Sequence, residues 1–419
     1  MFKFDFDLED EELDETLAPQ ISSSTGKAND AARTEESHLE TAPPFIELQL
    51  EDLLTQLPDV ISYSPVQVPS LSTDASAPAP VFLAKRDLYD ARFQLIAAGA
   101  DEYAGEQAEG SDRDLQYVEA PSDLVPGVYE GGLKTWECSV DLAGCVRDML
   151  GDVLQRADSL RSLELGCGTA MPSLMLLREV LSGPPRPERR IELHLQDYNE
   201  LVFRLVTLPN LILAWYMSPA SAPFTASYTP PPTDDAAPEP LPPSDASLAG
   251  DLTLSADLLR AFTTSLAAHG VALRLFAGAW EAFPAALTAR RYDVLLTSET
   301  LYAPASLAPL ADLLWRAGAA GAGGLEAAAG RLSLRDAADG EDGRAHGTEA
   351  GLRRVRADEL PVCLVAAKLV YFGVGGGVAE FTRAVESGAP SGCARGRGRV
   401  HTVWKKEDGV KRVVMEVKW

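Results

Sequence analysis

The 419-residue chain has little cysteine, little histidine and a shortage of positive charge. Its five cysteines, Cys138, Cys145, Cys167, Cys363 and Cys393, include no C-x-x-C pair and no zinc spacing, which argues against a disulfide scaffold or a zinc module. The five histidines have no metal-ligand partners at useful intervals. Lys and Arg number 37 against 62 Asp and Glu, a net charge of -25. A general nucleic-acid binder is usually basic; an acidic surface repels phosphate backbones and attracts basic partners. No apolar run approaches membrane-spanning length, and the first residues lack the basic flank and apolar core of a signal peptide. The expectation is a soluble, intracellular, reduced protein with no direct nucleic-acid contact and no membrane. No Ser-His-Asp motif context is visible.

What is present is unevenly spread. Residues 1–20 hold eight acids against one base, Lys3, with Phe2, Phe4 and Phe6 alternating among them. That pattern reads as a solvated tail or as a docking peptide with one sticky face. Residues 16–80 are rich in Ser, Thr, Ala and Pro. Residues 1–80 are therefore expected to be an acidic, mostly disordered segment, with a transient helix near Phe45–Leu50. A folded domain is expected over 81–419, interrupted by disordered Pro-, Ala- and Gly-rich inserts near 218–250, 317–351 and 387–399.

Within that domain, apolar runs alternate with helical spacing. A helix is predicted around 85–96 and another from a Thr135 N-cap through Leu150. Strands are predicted at 163–165, 191–196, 271–276, 292–297 and 362–366. The 200–216 helix should kink at Pro209. Asp408-Gly409 between two alternating runs is a hairpin signal. The implied fold is α/β: a doubly wound, seven-stranded, mostly parallel sheet with a C-terminal antiparallel hairpin.

The strand ends collect the chemistry. Leu163-Glu164-Leu165-Gly166-Cys167-Gly168-Thr169-Ala170 reads as strand, glycine turn and helix start. Gly166 and Gly168 let backbone N–H groups approach a nucleotide-type ligand. Ala170 replaces the third glycine of a dinucleotide fingerprint, which weakens an NAD reading. Asp197, just past the second strand, is placed to accept from ribose hydroxyls, or else to cap a helix. Gly278, Trp280, Ser298 and Glu299 follow two further strands, so one pocket should gather them all. His194, mid-strand, reads as a packed side chain.

Val128-Tyr129-Glu130-Gly131-Gly132-Leu133-Lys134-Thr135-Trp136-Glu137-Cys138, Gln196-Asp197-Tyr198-Asn199, Thr297-Ser298-Glu299-Thr300-Leu301-Tyr302 and Tyr371-Phe372-Gly373-Val374-Gly375-Gly376-Gly377, with the run at 163–170, resemble the seven-strand S-adenosylmethionine-dependent methyltransferases. Among these the chain is most similar to the protein-histidine methyltransferase family. The resemblance implies methylation of a histidine on a protein, a large-subunit ribosomal protein, with S-adenosylmethionine as cofactor and a cytoplasmic and nuclear location. It implies cofactor contacts at Trp136, Glu137, Cys138, Gly166, Gln196, Asp197, Tyr198, Gly278, Ala279, Trp280 and Ser298, alongside Gly168 from the turn geometry. Glu299 is the candidate catalytic group: a carboxylate beside the acceptor imidazole would fix its tautomer and stabilise the cation formed. Tyr371 to Gly377 should shape the acceptor channel. Two alternatives stand: a lysine methyltransferase of the same fold, since Glu299-x-x-Tyr302 also fits that pattern, and a non-catalytic partner of a ribosomal protein.

Overall fold

The computed structural model describes residues 44–72, 79–101, 131–229, 240–318, 352–371, 376–388 and 395–419. Four parallel strands form the middle of the main sheet: β4 (Ser159–Leu165), β5 (Arg190–Asp197), β7 (Val271–Ala277) and β8 (Val294–Ser298), and β9 (Val362–Lys368) extends the run beside β8. β10 (Arg399–Lys406) and β11 (Arg412–Lys418) close one edge as the hairpin, with β11 antiparallel to β9 and Gly409 in the left-handed region at the turn. The other edge is β1 (Ile46–Leu48), antiparallel to β7. The order is β1-β7-β5-β4-β8-β9-β11-β10.

Side chains along these strands alternate between two cores, as strand geometry requires. On β8, Val294 and Leu296 join one core and Leu295 the other; on β9, Val362, Leu364 and Ala366 oppose Cys363, Val365 and Ala367. The first core holds the helices Glu137–Arg156 and Met171–Leu181; the second holds Pro304–Gly318 and Val378–Ser387. Burial on both faces explains why β8 and β9 read as nearly continuous apolar runs.

Four expectations need correction. The sheet has eight strands, not seven. Phe45–Leu50 contains β1 rather than a transient helix, and the first helix starts only at Leu50. Residues 1–43 lie outside the described residues, but 60–86 supply two strands of a second, three-stranded sheet: β2 (Val60–Val68) pairs with β3 (Val81–Arg86) and with β6 (Gly250–Thr253), all antiparallel. Order therefore begins well before residue 81. Ser62, Ser64 and Pro65 give β2 the composition of a linker, yet Ile61, Tyr63 and Val68 are fully buried. The 218–250 insert is likewise partly built, with a helix at Ala222–Ser227, and it leads directly into β6 and the unpredicted helix Ala256–Ala268. Residues 230–239, 319–351 and 389–394 of the expected inserts lie outside the described residues.

The small sheet supports the large one through Arg86, the last residue of β3. Its buried guanidinium donates to the Leu205 carbonyl (2.9 Å), which Pro209 has no N–H to satisfy. The turn around 203–207 widens into a π-helix just ahead of that proline. Asn210 accepts from the Arg86 N–H (2.7 Å) and donates to Thr169 O (3.0 Å), while Thr207 donates to Gly168 O (2.6 Å). The predicted kink thus becomes a brace behind the glycine turn. Among the described residues, no single helix is long and apolar enough to cross a membrane, and no metal-ligating cluster occurs.

Candidate active site

The chain runs from β4 outward through β5 to β7, then returns to β8 on the other side of β4. In such a sheet a crevice opens where the winding reverses, beyond the carboxyl ends of the strands. A cavity of about 620 Å³ lies there. Trp136, Gly166, Gly168, Asp197, Tyr198, Gly278, Ala279, Trp280, Ser298 and Glu299 all line it. Of the predicted site residues, Glu137, Cys138 and Gln196 do not.

The glycine turn is shaped by backbone conformations that side chains resist. Gly166 (φ 61), Gly168 (φ 50) and Ala170 (φ 60) are all left-handed. A Cβ on Gly166 would sit 2.7 Å from Thr300 Cγ2, and one on Gly168 would sit 3.0 Å from Gly132 O. Ala170 accepts the same backbone state at a cost of about 1–2 kcal/mol, so the missing third glycine changes strain, not path. The Gly168 N–H donates to Asp197 Oδ2 (2.8 Å), and Asn199 N–H to Asp197 Oδ1 (3.1 Å). Asp197 therefore ties the first and second strand ends together while lining the cavity.

Gln196 is a fully buried strut rather than a lining residue. Its Nε2 donates to Gly278 O (2.7 Å); its Oε1 accepts from Trp280 Nε1 (2.7 Å) and, at 3.4 Å, from the Gly166 N–H. One side chain thus joins three loops. Below the turn, Glu164 accepts from the Ser173 N–H (3.0 Å) and hydroxyl. Burial pushes the Glu164 carboxyl up to about 8, overriding those hydrogen bonds, which favour the carboxylate. The unfolded chain ionises near 4.5, so folding holds a proton that the unfolded chain releases. Its contribution is present below that value and is lost as pH rises through about 8, at about 1.4 kcal/mol per unit. Glu164→Gln should melt like the parent near pH 5 and several degrees higher near pH 8; melting curves across that range check it.

Around Glu299 the structure assembles a cluster drawn from three segments. Glu299 is left-handed (φ 57), rare for a long side chain, and its N–H donates to Ala366 O (3.0 Å). The Tyr371 hydroxyl donates to Glu299 Oε2 (2.9 Å) and accepts from the Lys368 N–H (3.2 Å). Lys368 Nζ lies 3.6 Å from Glu299 Oε1, 3.4 Å from Glu137 Oε2 and 4.3 Å from the centre of the Trp136 ring. Glu299 Oε1 has no hydrogen-bond partner among the described residues. Burial, then the Glu299 charge, raises both the Tyr371 hydroxyl and the Cys138 thiol well above their usual ranges. Tyr371 is thus a permanent donor at neutral pH, and Cys138 is a buried neutral thiol, not a nucleophile. Trp136 is 37% exposed at the rim, not a core residue. Thr135 is not the helix cap; it bonds Thr169 across the turn (3.1 Å), and the helix starts at Glu137.

Lys368, Tyr302 and the rim residue Val370 also line the cavity and were not singled out as site residues. Lys368 ends β9, and the strand-end rule that found Asp197 and Ser298 would have found it. His194 is buried as expected, its Nδ1 2.8 Å from the Tyr292 hydroxyl. Burial, then the neighbouring Arg161 charge, lowers it to about 3, so it stays neutral.

No family model matches the chain. Individual relatives do. Histidine protein methyltransferase 1 of Saccharomyces cerevisiae is 27% identical over 304 residues, 71% of this chain and 67% of that protein. The protein of that name from Schizosaccharomyces pombe is 29% identical over 339 residues, 79% and 74% of the two lengths. A rat histidine protein methyltransferase 1 homolog is 28% identical over 316 residues, 74% of this chain and 63% of the relative. The chain is thus similar to histidine protein methyltransferases of yeasts and mammals. That similarity agrees with the sheet, whose parallel centre and antiparallel C-terminal strands are consistent with a class I methyltransferase fold. The aligned stretches exceed 300 residues in each of these three relatives, far more than the glycine turn alone.

Proposed function

We propose that the protein transfers a methyl group from S-adenosylmethionine to a histidine side chain of a protein substrate, a large-subunit ribosomal protein. The observation that carries this reading is the convergence of Gly166, Asp197, Gly278, Trp280, Ser298 and Glu299 on one cavity at the winding reversal. The cavity suits the cofactor in three respects. Its volume is in the range of small-molecule sites. Its backbone is bare at Gly132, Gly166, Gly168 and Gly278, all with positive φ, where a nucleoside must approach closely. Its carboxylates, Asp197, Glu281 and Glu299, suit a cationic sulfonium.

Asp197 and the glycine turn would hold the nucleoside end, with Gln196 fixing Trp280 and Gly278 on the opposite wall. When bound, the cofactor supplies an electrophilic methyl group for one in-line displacement. The chain's own part is approach geometry and a dry site. The acceptor must be a neutral imidazole, which is available near pH 7. Glu299, held by Tyr371 and Lys368, presents negative charge where the methylated ring becomes cationic. The net charge of -25 favours capture of a basic substrate, and a cytoplasmic and nuclear location would meet ribosomal proteins where they are made and assembled.

Incubation with a ribosomal-protein extract and radiolabelled cofactor, followed by acid hydrolysis, should yield labelled methylhistidine. Asp197→Ala should remove most of that label by weakening cofactor binding. Methyllysine would reject the histidine reading, and no label from the parent protein would reject catalysis.

A further inference from the structure

β1 is only three residues long, and it pairs with the end of β7 that leads into one loop of the site. Gly278, at the end of β7, has φ 121. A Cβ there would lie 2.6 Å from Pro44 O and 2.7 Å from Phe45 Cα. The backbone just ahead of β1 therefore presses directly on a cavity-lining glycine. The Phe45 ring stacks on Phe276 (centroids 5.6 Å apart) and meets Phe283 edge-on at 4.9 Å. Those two phenylalanines bracket the Gly278–Trp280 segment in sequence, so Phe45 is wedged across the base of the loop.

Two residues further on, Glu47 takes both arms of the Arg274 guanidinium, each at 2.6 Å. That guanidinium also lies over the Phe276 ring, 5.1 Å from its centre. The pair locks β1 in register, with Glu47 opposite Phe276 and Ile46 opposite Ala277. From Gly278 the constraint passes inward. Its N–H donates to Asp197 O (3.0 Å), its carbonyl accepts from Gln196, and Gln196 accepts from Trp280.

We propose that Phe45 and Glu47 are positioning residues of the cofactor site, holding the Gly278–Trp280 loop in its binding conformation from outside the sheet. The proposal rests on the S-adenosylmethionine reading above. A glycine in this loop is conformationally soft, and β1 adds a support to those that Asp197 and Gln196 give it. Phe45 supplies packing against the loop, and the Glu47–Arg274 fork supplies register. Loop order is thus bound up with a segment that precedes the whole parallel sheet.

The test uses the full chain and S-adenosylhomocysteine, with affinity read by calorimetry. Phe45→Ala should weaken binding by about tenfold through lost preorganisation, and Phe45→Leu by about threefold or less. Glu47→Arg and Arg274→Glu should each cost about threefold, as expected for a half-exposed pair, and the double reversal should restore parental affinity. Amide exchange at residues 277–282 of the ligand-free protein should quicken in Phe45→Ala and Glu47→Arg and return to the parental rate in the double reversal. Should Phe45→Ala fail to fold, the charge-reversal cycle carries the test alone. Parental affinity and parental exchange in both Phe45→Ala and Glu47→Arg would overturn the proposal. Absence of binding by the parent protein would instead reject the cofactor reading.

Discussion

Glu299→Gln should lower methyl-transfer turnover by about 10²-fold while cofactor affinity stays within about threefold of the parent. The substitution is nearly isosteric, and glutamine tolerates the left-handed backbone at φ 57 no worse than glutamate. The Tyr371 hydroxyl can still donate to an amide oxygen, so the Oε2 contact at 2.9 Å survives. What is lost is charge. In the parent that charge is desolvated, 11% exposed at the side chain, with Lys368 3.6 Å away, so it acts strongly on a cation forming beside it. Single-turnover rates and calorimetric affinities, measured separately, decide the matter. An equal loss of both would mean that Glu299 serves only to hold the cofactor.

Gly376→Ala should raise the KM for the protein substrate by about tenfold or more, with little change in cofactor affinity; tenfold is about 1.4 kcal/mol. The glycine is needed here for space, not for an unusual φ. A Cβ would lie 2.4 Å from Leu301 O and 2.7 Å from both the carbonyl carbon and oxygen of Tyr302. Those are backbone atoms and cannot rotate aside. The Gly376 N–H donates to Tyr302 O (3.0 Å), so the added methyl must push apart a pair of segments now bonded together. Overpacking of this kind costs about 1–3 kcal/mol. Tyr302 and Tyr371, one on each of those segments, both line the cavity, whereas the glycine turn after β4 is untouched. Steady-state kinetics with varied peptide, and melting curves to exclude global loss, check it. Unchanged KM and turnover would remove Tyr371–Gly377 from the acceptor channel; residues 372–375 of that run lie outside the described residues.

The site was legible where its signals were local. Gly166 and Gly168 announce their backbone states by their identity, and the structure has both at positive φ. Asp197, Ser298 and Glu299 were legible because they follow apolar strands, and strand ends converge by topology. Gln196 was named for the right loop with the wrong task. Nothing in its neighbours tells a ligand-facing amide from a buried strut, because the difference is whether Gly278 and Trp280 come back to it from 82 and 84 positions away. Ala170 looked like a departure from a glycine pattern, yet it takes the glycine conformation, since a well-packed turn tolerates one left-handed alanine.

Residue order was enough to define the parallel sheet, its C-terminal hairpin and the glycine turn, because apolar runs and bare backbones act over a few neighbouring residues. That 46–48 and 60–68 are strands emerges only in three dimensions. Their pairing is main-chain hydrogen bonding to β7, β3 and β6, which leaves no mark on a stretch full of serine and proline. The Lys368–Glu299–Tyr371 cluster has the same origin. Three residues that are individually ordinary acquire their charge balance only when folding removes water from around them.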